Sequence, residues 1–289
     1  MSLRKRPSSR LSLMSTHTSA SASSPSTSPT RSMSVRHSTS SSRTSFSSAT
    51  SPIHVSSIGE AVAADQAPKL TTQALPTPSF PDQQGLASLV CATKIAAPLG
   101  IVAGLVIDAR TYAIWNPFCP TLTVTHQPVC TAPLPRCIRD TPDIDGIKTL
   151  HTTLRDATQF TLEMVVDTNA ATRKKERHNM QVTALEPIQR EDGRRGVRVA
   201  WMVRGRMAKF FSGSERVQEF VEARDGSGVE YVCWETYYGR MSSGMKGGYG
   251  RGLEKGFRDA MAGLRDEAEK RARKMSVVQE SIQDAGTTA

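Results

Sequence analysis

No acidic side chain precedes Glu60, no apolar run reaches the length of a membrane span, and no Asn-x-Ser/Thr acceptor occurs in the 289 residues. Each absence excludes something. The longest apolar run, Ile95 to Ile107, has thirteen residues, contains Pro98 and is flanked by Lys94 and Asp108. A spanning helix needs about 20. The N-terminus lacks the apolar core of a secretory signal, and five cysteines, an odd number, argue against an oxidised exported framework. An intracellular protein with free thiols is expected, cytoplasmic or mitochondrial and not secreted. Only His126, His151 and His178 fall in the foldable part, and none sits in a Ser-His-Asp or Cys-His pattern. Cys119, His126, Cys130 and Cys137 carry atoms that could bind zinc, but their spacing is irregular and no C-x-x-C pair occurs. Neither a metal site nor a cofactor is expected.

What is present is distributed unevenly. Seven of the 37 basic side chains, Arg4, Lys5, Arg6, Arg10, Arg31, Arg36 and Arg43, lie before Glu60, leaving 30 to face all 27 acidic ones. A body so nearly neutral lacks the basic face of a nucleic-acid-binding domain. Residues 1–59 also hold 23 Ser and seven Thr. Too little apolar surface is available there to offset the entropy of ordering, so a disordered tail is expected. Two uses of that tail compete with plain disorder: an Arg- and Ser-rich presequence for mitochondrial import, and phosphorylation at Ser24-Pro25, Ser28-Pro29 or Ser51-Pro52. Pro7 interrupts the first basic cluster and counts against import. Residues 60–85 read as a Pro-containing linker, 86–275 as one domain, and 276–289 as a disordered C-terminus.

Periodicity organises the domain. Leu86 to Ala96 reads as a strand, and Pro98 opens two short helices over Leu99 to Phe118. Strand patterns follow at Thr121–His126, Gln159–Val166, Asn179–Leu185, Val197–Val203, Arg216–Ala223 and Val229–Tyr238. Phe160, Leu162, Met164 and Val166 alternate with Gln159, Thr161 and Glu163, the pattern of a sheet with one buried face. The run Arg173, Lys174, Lys175, Arg177 reads as a solvated hairpin tip, and Gln127 to Leu150, with four prolines, as a long excursion. A helix from about Ser242 to Met275 closes the chain. Tyr249, Leu253, Phe257, Met261, Leu264 and Ala268 form its apolar stripe. The fold class is α+β: a curved antiparallel sheet of about seven strands around a long C-terminal helix.

Specific residues add a resemblance. Ile95-Ala-Ala-Pro98, Val102, Asp108, Tyr112 and Trp115-Asn-Pro-Phe118 resemble the opening signature of the START-like superfamily of polyketide cyclase and lipid-transport proteins. Trp201 with Gly205, Phe211-Ser-Gly213, and Glu235 with Gly239 are similar to its later W-x-x-x-G, F-x-G and E-x-x-x-G positions, in the same order. The likeness spans roughly residues 86 to 272. It implies a helix-grip fold enclosing a hydrophobic cavity for lipids, sterols, quinones or polyketides, with the coenzyme Q-binding branch as one assignment. Glu215 stands where the family often has His, and the 127–150 excursion exceeds the family's usual length.

Strand parity nominates the lining. Phe160, Leu162, Met164, Met180, Val182, Val199, Trp201, Tyr231 and Cys233 share the inner face, with Tyr249, Leu253 and Phe257 from the helix, and Trp115 either lines the entrance or, the better reading, anchors the short helices. A packed core reads the same way in sequence, and the cavity comes from the resemblance alone. Glu235 falls on the face of Tyr231 and Cys233. Apolar surroundings would raise its pKa and make it a proton donor or ligand anchor, whereas a neighbouring cation would make it structural. Three functions follow: burial of a hydrophobic small molecule without chemistry, a cyclase- or hydrolase-type enzyme using Glu235, and an interaction module working through its phosphorylatable tail. The first is favoured, with a lipid, quinone or polyketide as partner and neither nucleic acid nor a membrane span. The glycines around Tyr249 meet no phosphate-loop or RNA-binding motif; a helix start so rich in glycine is expected to deform and admit ligand.

Overall fold

The computed structural model describes residues 54–82, 85–129, 133–141, 151–169, 172–205, 213–239 and 248–287, all within one compact unit over Thr50–Ala289. The Ser-rich tail up to residue 53, Cys130, most of the excursion after Thr141, and the Phe211-Ser212 part of the F-x-G piece lie outside them. In chain order the elements are β1 (His54–Val55), β2 (Lys69–Thr71), β3 (Ala87–Ile95), α1 (Leu99–Ile107), α2 (Tyr112–Trp115), β4 (Thr121–His126), α3 (Arg136–Arg139), β5 (Gln159–Asn169), β6 (Thr172–Gln189), β7 (Arg195–Val203), β8 (Gly213–Glu222), β9 (Val229–Tyr238) and α4 (Gly248–Thr287). The seven main strands pair antiparallel in the order β3-β9-β8-β7-β6-β5-β4, with β2 added beyond β3. The short β1 runs parallel to the end of β6, on residues that β5 leaves unpaired.

α4 lies against the concave face and seals the main core. Leu253, Phe257, Leu264 and Ala268 from its stripe are buried with Leu89, Ile95, Phe160, Leu162, Val182, Val199 and Phe220 of the sheet. Two glycines set how closely it approaches. A Cβ on Gly263 would meet the Trp115 carbonyl oxygen at 1.9 Å, and one on Gly256 the Phe118 ring at 2.2 Å. The α1 segment is apolar all round and almost wholly buried, which explains how it tolerates two helix-weakening glycines.

Four expectations need revision. The basic run 173–177 belongs to a long β5–β6 ladder, where Glu163 faces Arg177 and binds Lys175 Nζ at 3.2 Å, so paired carboxylates hold it in the sheet. α4 continues to Thr287 through the segment read as a disordered end. The excursion contains a helical turn, α3, whose Ile138 is buried beside α1. Most consequentially, β8 and β9 are covered on both faces. Residues 54–82, read from composition as tail and linker, form a strap across the convex side of the sheet.

That strap creates a second core. Ile58, Val62 and Leu75 pack on Val90, Ala92, Ala184, Ala200, Val217, Val232 and Trp234. It is also fastened by polar contacts. Trp234 Nε1 donates to Pro76 O at 2.9 Å, Thr236 Oγ1 to Leu75 O at 2.8 Å, and Ala92 N to Gln66 O at 2.9 Å. Two buried carboxylates complete the fastening. Glu219 Oε1 accepts from Ser56 Oγ at 2.6 Å and from Arg198 Nε and Nη2 at 3.0 and 2.9 Å, while its Oε2 lies 2.9 Å from Arg190 Nη1. Glu215 accepts from Ser79 N at 3.1 Å, from Ser79 Oγ at 2.9 Å and from Thr183 Oγ1. The residue that departs from the family's histidine thus holds the strap and faces away from the interior.

Candidate functional site

The antiparallel register builds the site on the concave face. Two rows cross the strands: Leu89, Glu235, Arg216, Trp201 and Val182 in one, Cys91, Cys233, Gln218 and Val199 in the next. Rows two residues apart are separated by about 7 Å along the strand, so side chains of both reach one space under α4. There the structure encloses a cavity of about 20 Å³ lined by Cys91, Tyr112, Trp115, Asn116, Cys119, Leu162, Trp201, Arg216, Gln218, Tyr231, Cys233, Phe257, Ala260 and Met261. In this conformation it has room for about one water.

Of the residues nominated by parity, Trp115, Leu162, Trp201, Tyr231, Cys233 and Phe257 line this cavity. Phe160, Met180, Val182, Val199 and Leu253 are buried in the surrounding core, and Met164 and Tyr249 pack on its margin. The Tyr249 hydroxyl donates to Glu176 Oε2 at 3.1 Å, tying the first turn of α4 to β6. Trp115 both lines the space and anchors α2, donating from Nε1 to Thr111 Oγ1 at 3.1 Å. Glu235 is held from both sides. Its Oε1 accepts from Ser214 Oγ at 2.6 Å, and its Oε2 accepts from Arg216 Nε at 2.8 Å and lies 2.7 Å from Arg216 Nη2. The surroundings are therefore not apolar alone: the cation the structural reading called for is present, and it is inside the fold.

Arg216, Gln218 and Cys91 were not named as site residues from the sequence, and Cys119 was weighed only as a zinc ligand. Arg216 is 8% exposed, stacked 4.2 Å from the Phe257 ring centre, and burial opposing its charge is outweighed first by Glu235. Burial pushes the Cys119 thiol up to about 12, so it stays protonated. Among the polar atoms on this face without a hydrogen-bond partner are Trp201 Nε1, Gln218 Nε2 and the Tyr237 hydroxyl. Gln218 Oε1 is used, accepting from the Tyr231 hydroxyl at 2.9 Å. Unpaired buried donors of this kind cost about 1–3 kcal/mol each, and native proteins retain few without a reason.

The element order, a strand, two short helices, six strands and a long helix gripped by the sheet, decides the architecture. The fold is an α+β helix grip. No family model matches the chain. A protein of the oxopyrrolidine biosynthesis cluster of Penicillium oxalicum, cluster protein O, is 26% identical over 177 residues, covering 58% of this chain and 79% of the relative. Among solved structures, a hypothetical protein from Helicobacter pylori aligns with a TM-score of 0.42 at 16% identity, over 63% of this chain and 86% of that one. Major latex-like protein 151 from Panax ginseng aligns with a TM-score of 0.39 at 11% identity, over 63% and 96%. The di-domain ARO/CYC protein of the steffimycin biosynthetic pathway aligns with a TM-score of 0.40 at 11% identity, over 64% and 51%. Among the described residues, no helix is long and apolar enough to cross a membrane.

Proposed function

We propose that the protein binds a hydrophobic small molecule carrying hydrogen-bond-accepting oxygens between the sheet and α4. One observation carries this reading: Trp201 Nε1 and Gln218 Nε2 are buried without partners in residues that line the same cavity. A carbonyl or hydroxyl oxygen between them would satisfy both, while the aromatic and aliphatic walls take the apolar remainder. Supporting it, the relative in Penicillium oxalicum belongs by name to a small-molecule biosynthesis cluster.

Binding requires α4 to move away from the sheet, because the closed cavity is too small for an organic ligand. The stabilisation available is adequate: burying about 300 Å² of apolar ligand surface contributes roughly 7 kcal/mol, so an opening costing several kcal/mol still leaves measurable affinity. Gly250, Gly252 and Gly256 lie in the first turns of α4, where helix is cheapest to deform. Glu235 does not line the cavity itself and acts here as the fixed partner of Arg216, which does.

Native mass spectrometry of the full chain after mild purification, followed by solvent extraction, tests the reading. A discrete lipid, quinone or polyketide retained by the protein, or uptake of one added from each class, is the expected result and names the class. Failure to retain or take up any of them removes the proposal.

A further inference from the structure

Cys233 is placed in a way that reversible binding does not require. It lies directly opposite Cys91 on one neighbouring strand and directly opposite Gln218 on the other. All three line the cavity, with Cys91 and Cys233 1% and 2% exposed. Cross-strand neighbours of this kind have Cβ atoms about 5 Å apart. A sulfur nucleophile and an unused amide donor are thus adjacent, and a second unused donor, Trp201 Nε1, comes from the next row.

We propose that Cys233 captures α,β-unsaturated carbonyl compounds covalently, with the side-chain N–H groups of Gln218 and Trp201 holding the carbonyl oxygen. The reaction is a conjugate addition. The Cys233 S–H bond breaks and an S–C bond forms at the β-carbon, while the carbon–carbon π pair shifts toward the carbonyl oxygen to give an enolate. The thiol proton then goes to the α-carbon. Nothing leaves, and no oxidant or reductant is needed. The arrangement suits each stage. Donors aimed at the oxygen stabilise charge where it develops, and the two that the resting structure leaves unpaired gain a partner only when such an oxygen arrives.

The thiol environment agrees. Burial pushes Cys233 up, but the Cys91 thiol within hydrogen-bonding reach and the nearby Arg216 charge outweigh it and hold Cys233 below the ordinary cysteine value. Cys91 keeps its proton, its value raised first by its hydrogen bond with Cys233 and then by burial. Of the pair, Cys233 is the one set directly opposite the Gln218 amide, and the lowered value agrees with its acting as thiolate, the nucleophilic form.

The inference rests on the binding reading above, and the experiment separates the two. Full-length protein carrying Cys130→Ser and Cys137→Ser keeps only the three buried thiols. It is incubated with 2-cyclohexen-1-one or with the saturated cyclohexanone and followed by intact-mass and peptide mass spectrometry, with native mass spectrometry for reversible binding. The expected result is one added enone on the Cys233 peptide of the folded protein and reversible binding only of the ketone. Cys233→Ala, checked for folding by circular dichroism, should abolish the adduct, while Cys91→Ala retains it. Gln218→Leu should slow addition roughly tenfold and weaken ketone binding as well, because the same N–H holds the oxygen of either compound. Reversible ketone binding with no enone adduct, or an adduct on Cys119 or Cys91 instead, overturns the covalent step alone. Absence of both adduct and ketone binding overturns it together with the binding reading.

Discussion

The two faces of the sheet each bury carboxylates against arginine, yet they finish the arrangement differently. On the convex face Glu219 meets Ser56, Arg198 and Arg190, and Glu215 meets Ser79 and Thr183. On the concave face Glu235 is likewise filled, by Ser214 and Arg216, but its surroundings keep Trp201 Nε1, Gln218 Nε2 and the Tyr237 hydroxyl unpaired. Polar groups met from several sides hold a segment down, even though Glu219 Oε2 is met only by its ion pair with Arg190. Donors left without a partner beside a cavity, Trp201 Nε1 and Gln218 Nε2, mark the candidate site instead.

The contrast can be tested by substitution, beginning where the effect is greatest. Glu219→Ala should destabilise by about 3–5 kcal/mol in urea titrations, because it leaves Arg190 and Arg198 under the strap without their shared carboxylate. If the loss is below about 1 kcal/mol, the strap is a loose cover and not a fastened one. Thr183→Val, which deprives Glu215 of a hydroxyl donor, should cost about 1.5–3 kcal/mol. On the other face, Gly263→Ala should cost about 1–3 kcal/mol by forcing α4 off the Trp115 carbonyl, and thermal melts of the variant should show the lower midpoint.

Tyr237→Phe sharpens the comparison most directly. It removes a hydroxyl like that of Thr183, but one without a partner, so stability should change by no more than about 0.5 kcal/mol. A loss as large as that of Thr183→Val would show that the two faces are equally saturated. The smallest effect belongs to neither face. Burial raises Glu267, but Arg271 Nε at 2.9 Å and Lys270 Nζ at 3.0 Å more than offset this and hold its carboxyl below its ordinary 4.5. A depressed carboxylate stabilises the fold above the unfolded value and loses that contribution as pH falls through the folded one. Glu267→Gln should therefore cost about 0.3–0.5 kcal/mol at neutral pH and nothing in acid below the folded value, as read from urea midpoints across pH.

Much of the architecture was legible because its elements bury one face and expose another. The alternation in Phe160 to Val166 and the stripe from Tyr249 to Ala268 each carry their own period, and the seven main strands and α4 appear where those periods place them. The strap left no such signal. Its strands have two and three residues, too few to show alternation, and much of its attachment runs through backbone atoms and hydroxyls. Arg173 to Arg177 looked like a turn because the carboxylate that neutralises part of it, Glu163, lies on another strand.

The site shows the same limit. Parity found Trp201, whose strand sets Val197, Val199 and Val203 on its side, and grouped Tyr231, Cys233 and Glu235 on one face of β9, a strand apolar on both. It could not find Arg216 or Gln218. In Ser214-Glu-Arg-Val-Gln-Glu-Phe-Val221 both faces carry polar and apolar residues, so alternation does not say which side points inward. Periods of two and 3.6 residues are properties of the chain itself, and by themselves they determined a sheet, a long gripping helix and most of the apolar wall between them. Only the tertiary structure decided that Glu219 is a fastening and Gln218 an open donor, because whether a buried polar atom is satisfied depends on which distant segment comes to cover it.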